Sequence, residues 1–292
     1  MGSFQATMTR AMIKKSNMWN QPLEEIRKNM EAIPDAEGLP EGIVWERTTR
    51  NGVTVETFRH AKGKSERVVL YFHGGGFCLG IYPANRAFVA QLATQTGLDV
   101  VLPDYRLAPE HPFPAALEDA IAVYKALQHT EGYRAEQIAV AGDSSGCALA
   151  LSALMVLRRS GEAMPERCAF LTPVFDLAGM GESFRTKAAK DPFRLEDPLG
   201  IAKNYVGDNA ATIPELSPLF GSLAGLPKML IQAADYDVFL SDAQRLAERV
   251  NQLVGQAELR LYKRMWHVFV MQHAFVPEAK QALAEFCSYL RD

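Results

Sequence analysis

Along most of the chain, short apolar runs of strand length alternate with longer stretches in which apolar residues recur at helical spacing. The runs are Arg67–Phe72 (RVVLYF), Asp99–Tyr105 (DVVLPDY), Gln137–Asp143 (QIAVAGD), Cys168–Val174 (CAFLTPV), Lys228–Asp235 (KMLIQAAD) and Ala257–Lys263 (AELRLYK). Upstream, GIVWERTT and VTVETFRH meet at Asn51-Gly52, a dipeptide suited to a tight antiparallel hairpin, here expected at a sheet edge. The spacing predicts helices over Arg86–Gln95, Pro114–Gln128, Ser145–Arg159, Leu240–Leu253 and Glu278–Leu290. Strand and helix in alternation predict an α/β fold, an eight-stranded and mostly parallel sheet with helices on both faces.

Two segments break the alternation. Residues 1–38 read as one or two amphipathic helices rich in Met (Met8, Met12, Met18, Met30) with no strand between them. Residues 177–225 form a long insert rich in Pro, Gly and charge, and connections of that length commonly serve as lids or binding elements. Met adapts to irregular apolar surfaces, so the two segments are expected to form a helical cap. The core is then residues 39–176 and 226–292.

Composition narrows the function. The 292 residues, 48% hydrophobic and 22% charged, can bury a large core. A net charge of −3 without a basic run argues against a nucleic-acid partner. No stretch reaches the roughly 20 apolar residues that a membrane-spanning helix requires, so membrane insertion is not expected. The N-terminus lacks the continuous apolar core of a secretory signal. Cys78, Cys147, Cys168 and Cys287 are widely spread, without CxxC or metal-ligand spacing, and fit reduced thiols in a cytoplasm. No cofactor or metal is expected.

Two motifs carry chemistry. HGGGF (His73–Phe77) follows a strand, where successive glycines let a backbone approach a phosphate, a packed neighbour or an oxyanion. Neither phosphate-binding pattern, G-x-x-x-x-G-K-[ST] nor G-x-G-x-x-G, is present. In AVAGDSSGCALA, Gly142, Ser144 and Gly146 make G-x-S-x-G between a strand and a helix, the pattern of a nucleophile elbow. A serine hydroxyl needs a base to take its proton and a carboxylate to orient that base. In such a sheet the partners follow later strands, in the order Ser, acid, His. His267 lies in the turn leaving the last strand, whereas His273 is six residues further on, so His267 is the expected base. Asp235, Asp237 and Asp242 all follow KMLIQAAD. Asp242 is expected to cap or neutralise the next helix, and the pattern alone does not choose between the other two.

From Arg67 to His267 the chain resembles the hormone-sensitive lipase-like esterases, bacterial family IV of the α/β hydrolases. The resemblance rests on HGGGF, DYRLAPEHPFPAAL (Asp104–Leu117), GDSSG, DYDVFLSD (from Asp235) and HVF (from His267), in that order. It implies an α/β-hydrolase fold and selects Asp237 as the acid. It also implies oxyanion donors at the backbone N–H groups of Gly74, Gly75 and Ser145, with Gly76 serving the turn. His73 and the DYRLAPEHPFPAAL stretch are expected to brace the site. The family elbow is usually Gly-Asp-Ser-Ala-Gly-Gly, so Ser145 and Cys147 are departures, as is Val238-Phe239 for a common Pro-Leu.

The expected activity is that of a serine carboxylesterase on short-chain acyl or aryl esters, with rates rising through about pH 6 to 7 as His267 deprotonates. Phe77, Met18, Trp19 and Phe175 are expected to line the pocket. A non-catalytic small-ligand receptor on the same fold is the rival, although such a receptor replaces the catalytic His. The last strand would be a sheet edge and a plausible homodimer contact.

Overall fold

The computed structural model describes residues 2–32, 39–193 and 200–292. Two helices come first, α1 (Phe4–Ser16) and α2 (Leu23–Glu31), joined by a 3-10 turn at Met18–Asn20. A hairpin follows, β1 (Ile43–Arg50) and β2 (Val53–His60), paired in register from Ile43↔His60 to Arg50↔Val53. Asn51 and Gly52 take φ of 46° and 84° in the turn, the two positive values that a two-residue hairpin of matching twist requires.

The alternation then runs β3 (Val68–Phe72), α3 (Pro83–Thr96), β4 (Asp99–Pro103), α4 (Ala115–Lys125), β5 (Ile138–Asp143), α5 (Ser145–Arg159) and β6 (Arg167–Leu171). In the insert, the described residues contain only short helical turns, among them α6 (Ser183–Thr186) and α7 (Lys203–Val206). The chain finishes with β7 (Lys228–Ala234), α8 (Leu240–Gln252), β8 (Ala257–Tyr262) and α9 (Pro277–Arg291).

The strands form one eight-stranded sheet in the order β1-β2-β4-β3-β5-β6-β7-β8. β1–β2 and β2–β4 pair antiparallel and every other pair is parallel. β3, β4, β5 and β6 are buried at every position, as strands covered on both faces must be. The pleat divides the core in two. Val68, Leu70 and Phe72 of β3 face one cluster with Leu117 of α4, Leu154 of α5 and Leu246 of α8. Val69 and Tyr71 face the other, with Phe88 of α3 and Phe286 of α9. Because parallel strands share a direction, the turns after β3, β5, β6, β7 and β8 gather at one edge of the sheet.

One strand ends earlier than its apolar run suggests. CAFLTPV stops pairing at Leu171 because Thr172 turns at φ 40°, with its N–H donating to Gln232 O at 2.7 Å. The Met-rich first helix is also only partly a cover, since Met8 and Met12 are 49% and 70% exposed. Among the described residues no helix is long and apolar enough to cross a membrane.

Candidate active site

β5 delivers Ser144 at its carboxyl end, in the turn before α5. The residue sits at φ 51°, ψ −125°, a conformation that L-residues rarely adopt and that costs on the order of 1–3 kcal/mol. Backbone hydrogen bonds hold it there: Ser144 N–H donates to Leu171 O at 3.0 Å, and Ser144 O accepts from Val174 N–H at 3.1 Å. The glycines of the motif answer to space. A Cβ on Gly146 would lie 2.1 Å from Phe72 O, and one on Gly142 would lie 2.8 Å from the same atom. Any side chain there would push α5 off β3 and lift the serine from its seat.

Ser144 Oγ is 2.8 Å from His267 Nε2, and His267 Nδ1 is 3.1 Å and 3.2 Å from the two carboxylate oxygens of Asp237. The three groups come from the turns after β5, β8 and β7. The histidine turn is pinned by Val268, at φ 49°, whose N–H donates to Thr172 Oγ1 at 3.0 Å. Asp237 Oδ1 also accepts from Phe239 N–H at 2.8 Å, which fixes the carboxylate plane. Burial favours the neutral imidazole. The charge and hydrogen bond of Asp237, with the charges of Asp191 and Asp143, outweigh it and raise His267 above its ordinary 6.5.

The other two aspartates have different duties. Asp235 Oδ1 accepts the Arg264 N–H, bracing the turn that leads to His267. Asp242 does not cap α8 as expected. Its Oδ2 accepts the N–H groups of Phe175 at 2.8 Å and Asp176 at 2.9 Å, and burial beside Asp176 pushes its carboxyl up to about 8. His273 lies apart, its Nδ1 against Val270 O and its ring edge-on to Phe88.

The glycine loop corrects a second expectation. Gly74 N–H is engaged by Asp143 Oδ1 at 3.0 Å, so it is not a free donor. Gly76 N–H donates to Ser145 Oγ at 2.9 Å. Gly75 N–H has no hydrogen-bond partner among the described residues, and Ser145, first residue of α5, has an N–H with no intrahelical acceptor. Those two donors stand beside Ser144. Gly75 takes φ 112°, which lets the chain fold back so that Cys78 and Leu79 N–H reach Gly75 O. His73 braces this loop: its Nδ1 lies 2.8 Å from Gly74 O, and its ring stacks on Tyr105 at 4.3 Å. Burial drives its imidazole down to about 4 and keeps it neutral. Within DYRLAPEHPFPAAL, Tyr105 O–H donates to His73 O, Arg106 pairs with Asp119 and Glu110 pairs with Arg27 of α2.

A cavity of about 350 Å³ opens over these groups, lined by Gly74, Gly75, Gly76, Ser144, Ser145 and His267 below. Met18, Trp19 and Met30 from the N-terminal segment, with Leu177, Phe193 and Ile201 from the insert, give it an apolar roof. Phe77 and Phe175 do not line it. Phe77 turns under the glycine loop and stacks on Tyr205 at 4.0 Å, and Phe175 packs edge-on to Phe170 at 5.3 Å within the core. An adjoining open cleft of about 830 Å³, which shares Gly80 and Tyr82 with the cavity, carries Arg27, Arg47 and Arg86, which pair with Glu110, Asp104 and Glu56. Among the described residues no group of three or more His, Cys, Asp or Glu could hold a metal ion.

Three residues at the site went unnoticed in the sequence. Asp143 ends β5, accepts Tyr71 O–H at 2.8 Å as well as Gly74 N–H, and is raised by burial to about 6. A charged residue closing an otherwise apolar strand was the available signal. Asp191 and Phe193 lie in the insert, where no periodicity pointed to them. Asp191 is fully buried, with Oδ2 accepting Val238 N–H at 2.9 Å and Oδ1 accepting Phe193 N–H at 3.0 Å. Phe193 stacks on Trp19 at 4.7 Å and meets the His267 ring edge-on at 5.3 Å.

The family model described as alpha/beta hydrolase fold matches residues 69–271. An esterase of Acinetobacter venetianus is 36% identical over 231 residues, 78% of this chain and 76% of its own. A solved esterase of the bacterial hormone-sensitive lipase family superposes with a TM-score of 0.92 at 34% identity, covering 100% of this chain and 98% of its own. The chain belongs to the hormone-sensitive lipase-like esterases of the α/β-hydrolase fold. The esterase is also 33% identical to an acetyl-hydrolase of Streptomyces hygroscopicus over 255 residues, 87% of this chain and 84% of the relative. Nothing in these likenesses supports the receptor alternative.

Proposed function

We propose that this esterase hydrolyses short-chain acyl or aryl carboxylic esters through an acyl-enzyme on Ser144. The observation that carries the reading is the relay from Ser144 Oγ through His267 to Asp237, closed at 2.8 Å and 3.1 Å beneath the cavity. Neutral His267 holds its Nδ1 proton toward Asp237 and leaves Nε2 to accept the Ser144 proton. Ser144 Oγ bonds to the ester carbonyl carbon as that proton moves to Nε2, and the carbonyl oxygen becomes negative. Gly75 and Ser145 N–H groups donate to it, and one such donor is worth about 10²–10³ in rate. Collapse breaks the carbon–alkoxy bond, His267 returns the proton to the departing alcohol, and a water repeats the cycle to release the acid. Asp237 stabilises the imidazolium at each half.

The cavity volume of about 350 Å³ sits near the lower end of small-ligand sites, and its roof is bulky and uncharged, which favours small neutral esters. The acetyl-hydrolase likeness points the same way. Within residues 1–38 and 177–225, the described parts serve as the cap over a core of residues 39–176 and 226–292, because both supply roof residues, while residues 1, 33–38 and 194–199 of that division lie outside the described residues. Four free, buried thiols fit a reducing cytoplasm. β8 ends the sheet with a half-exposed face, and a homodimer would use that edge, as light scattering would reveal. Turnover of p-nitrophenyl acetate, butyrate, octanoate and palmitate tests the substrate class. Rates should fall beyond butyrate or octanoate, and preference for palmitate would sink it.

A further inference from the structure

The serine after the nucleophile does something an alanine there could not. Ser145 is 2% exposed and lines the cavity beside Gly75, Gly76 and Ser144. Its Oγ accepts the Gly76 N–H at 2.9 Å. A hydroxyl has one proton to donate as well as lone pairs to accept with. Among the described residues no acceptor receives the Ser145 O–H, and a buried donor left without a partner is costly.

We propose that the Ser145 hydroxyl is a further oxyanion donor, held in place by Gly76 N–H and turned toward the oxygen that becomes negative when Ser144 attacks. This hydroxyl is linked to both of the backbone donors already described. It shares a residue with one, the Ser145 N–H, and bonds to Gly76, the neighbour of the other, Gly75. Gly75, Ser144 and Ser145 line the same cavity, and rotation about the Cβ–Oγ bond leaves the Ser145 O–H able to turn toward an oxygen held there. No acceptor among the described residues takes that proton in the resting site, so it gains one as the tetrahedral intermediate forms. An interaction made only in the transition state raises kcat rather than lowering KM. The Gly76 N–H, by donating to Oγ, polarises the O–H and strengthens the bond it then makes. The same bond ties the glycine loop to the first turn of α5, so the donors on both sides keep their spacing.

This inference rests on the acyl-enzyme reading, and Ser145→Ala tests it. Steady-state hydrolysis of p-nitrophenyl butyrate is compared with inhibition by a trifluoromethyl ketone. Ser144 Oγ adds to the ketone carbon, the proton passes to His267, and the carbonyl oxygen is left as a stable oxyanion. Ser145→Ala should lower kcat about tenfold to hundredfold, with KM within about threefold of wild type. The ketone should bind more weakly by the same factor as kcat/KM falls. Unchanged or faster turnover with unchanged or tighter ketone binding would overturn the proposal, because Oγ would then merely occupy the Gly76 donor. A fall in kcat without loss of ketone binding would overturn it too. Retained turnover in Ser144→Ala would instead end the acyl-enzyme reading itself, so the two failures are distinguishable.

Discussion

The floor of the cavity is built from the ends of strands, whereas its roof is built from side chains that meet across two distant segments. On the floor, Ser144, Gly75, Thr172 and Val268 all sit at positive φ, each fixed by hydrogen bonds in or beside its own turn. Across the roof, Trp19 stacks on Phe193, and Phe193 packs on the ring of His267. Backbone strain and hydrogen bonds specify a position to a fraction of an ångström, whereas apolar packing specifies a shape and tolerates exchange of volume. The floor should therefore govern the chemical step and the roof should govern which ester enters.

The largest effects should come from the floor. Ser144→Ala and Asp237→Asn should each lower kcat by about 10⁴, with protein still folded by circular dichroism. Asp235→Asn, which disturbs only the Arg264 turn, should stay within about twofold on the same kinetic scale, and equal losses at Asp235 and Asp237 would erase the distinction between them.

Asp191 crosses the boundary, since it lies buried in the insert behind the roof and holds Val238 beside the acid and Phe193 beside the base. An amide has one acceptor oxygen for two N–H groups, so Asp191→Asn must leave one of them facing an NH₂. Turnover should drop about tenfold. The pH profile should report the change as well. His267 must be neutral to act, and its raised value puts the rise in activity above pH 6.5. Asp191 is one of the charges that raise it, so the variant's rise should move to lower pH; a shift to higher pH would contradict the assignment. Stability has the opposite sign. A histidine raised in the folded state binds its proton more tightly than in the unfolded chain. Its contribution is complete below its unfolded value near 6.5 and is lost as pH climbs through the folded one.

The smallest effect should come from the roof alone. Trp19→Ala should change kcat for p-nitrophenyl acetate by less than about threefold while raising the relative rate with octanoate, because it removes the ring stacked on Phe193 and enlarges the cavity. A loss of kcat for acetate as large as that of a floor variant would show that roof and floor are not separable.

The same contrast explains what could be read from the chain. The strands and the serine and histidine positions were legible because glycine spacing, strand length and chain order follow backbone geometry, whereas chain order left Asp235 and Asp237 open and only the family resemblance selected Asp237. Gly74 was misjudged because its N–H is claimed by Asp143, a side-chain contact between turns 69 residues apart that no local pattern encodes. Phe77 and Phe175 were misjudged for a related reason. Both follow strands that end at the site, but their side chains point into the core once the turns are formed. Asp242 looked like a cap because it opens a helix, yet burial drew it to the backbone of Phe175 and Asp176. Met18 and Trp19 line the cavity, while Met8 and Met12 of the preceding helix face solvent.

The central claim is that Ser144 becomes acylated. Reaction with a small organophosphate followed by peptide mass mapping reads it directly. One adduct per chain, on the peptide that carries Ser144 and absent in His267→Ala, is the predicted result. An adduct on any other residue, or none from an enzyme that still turns over esters, would contradict it.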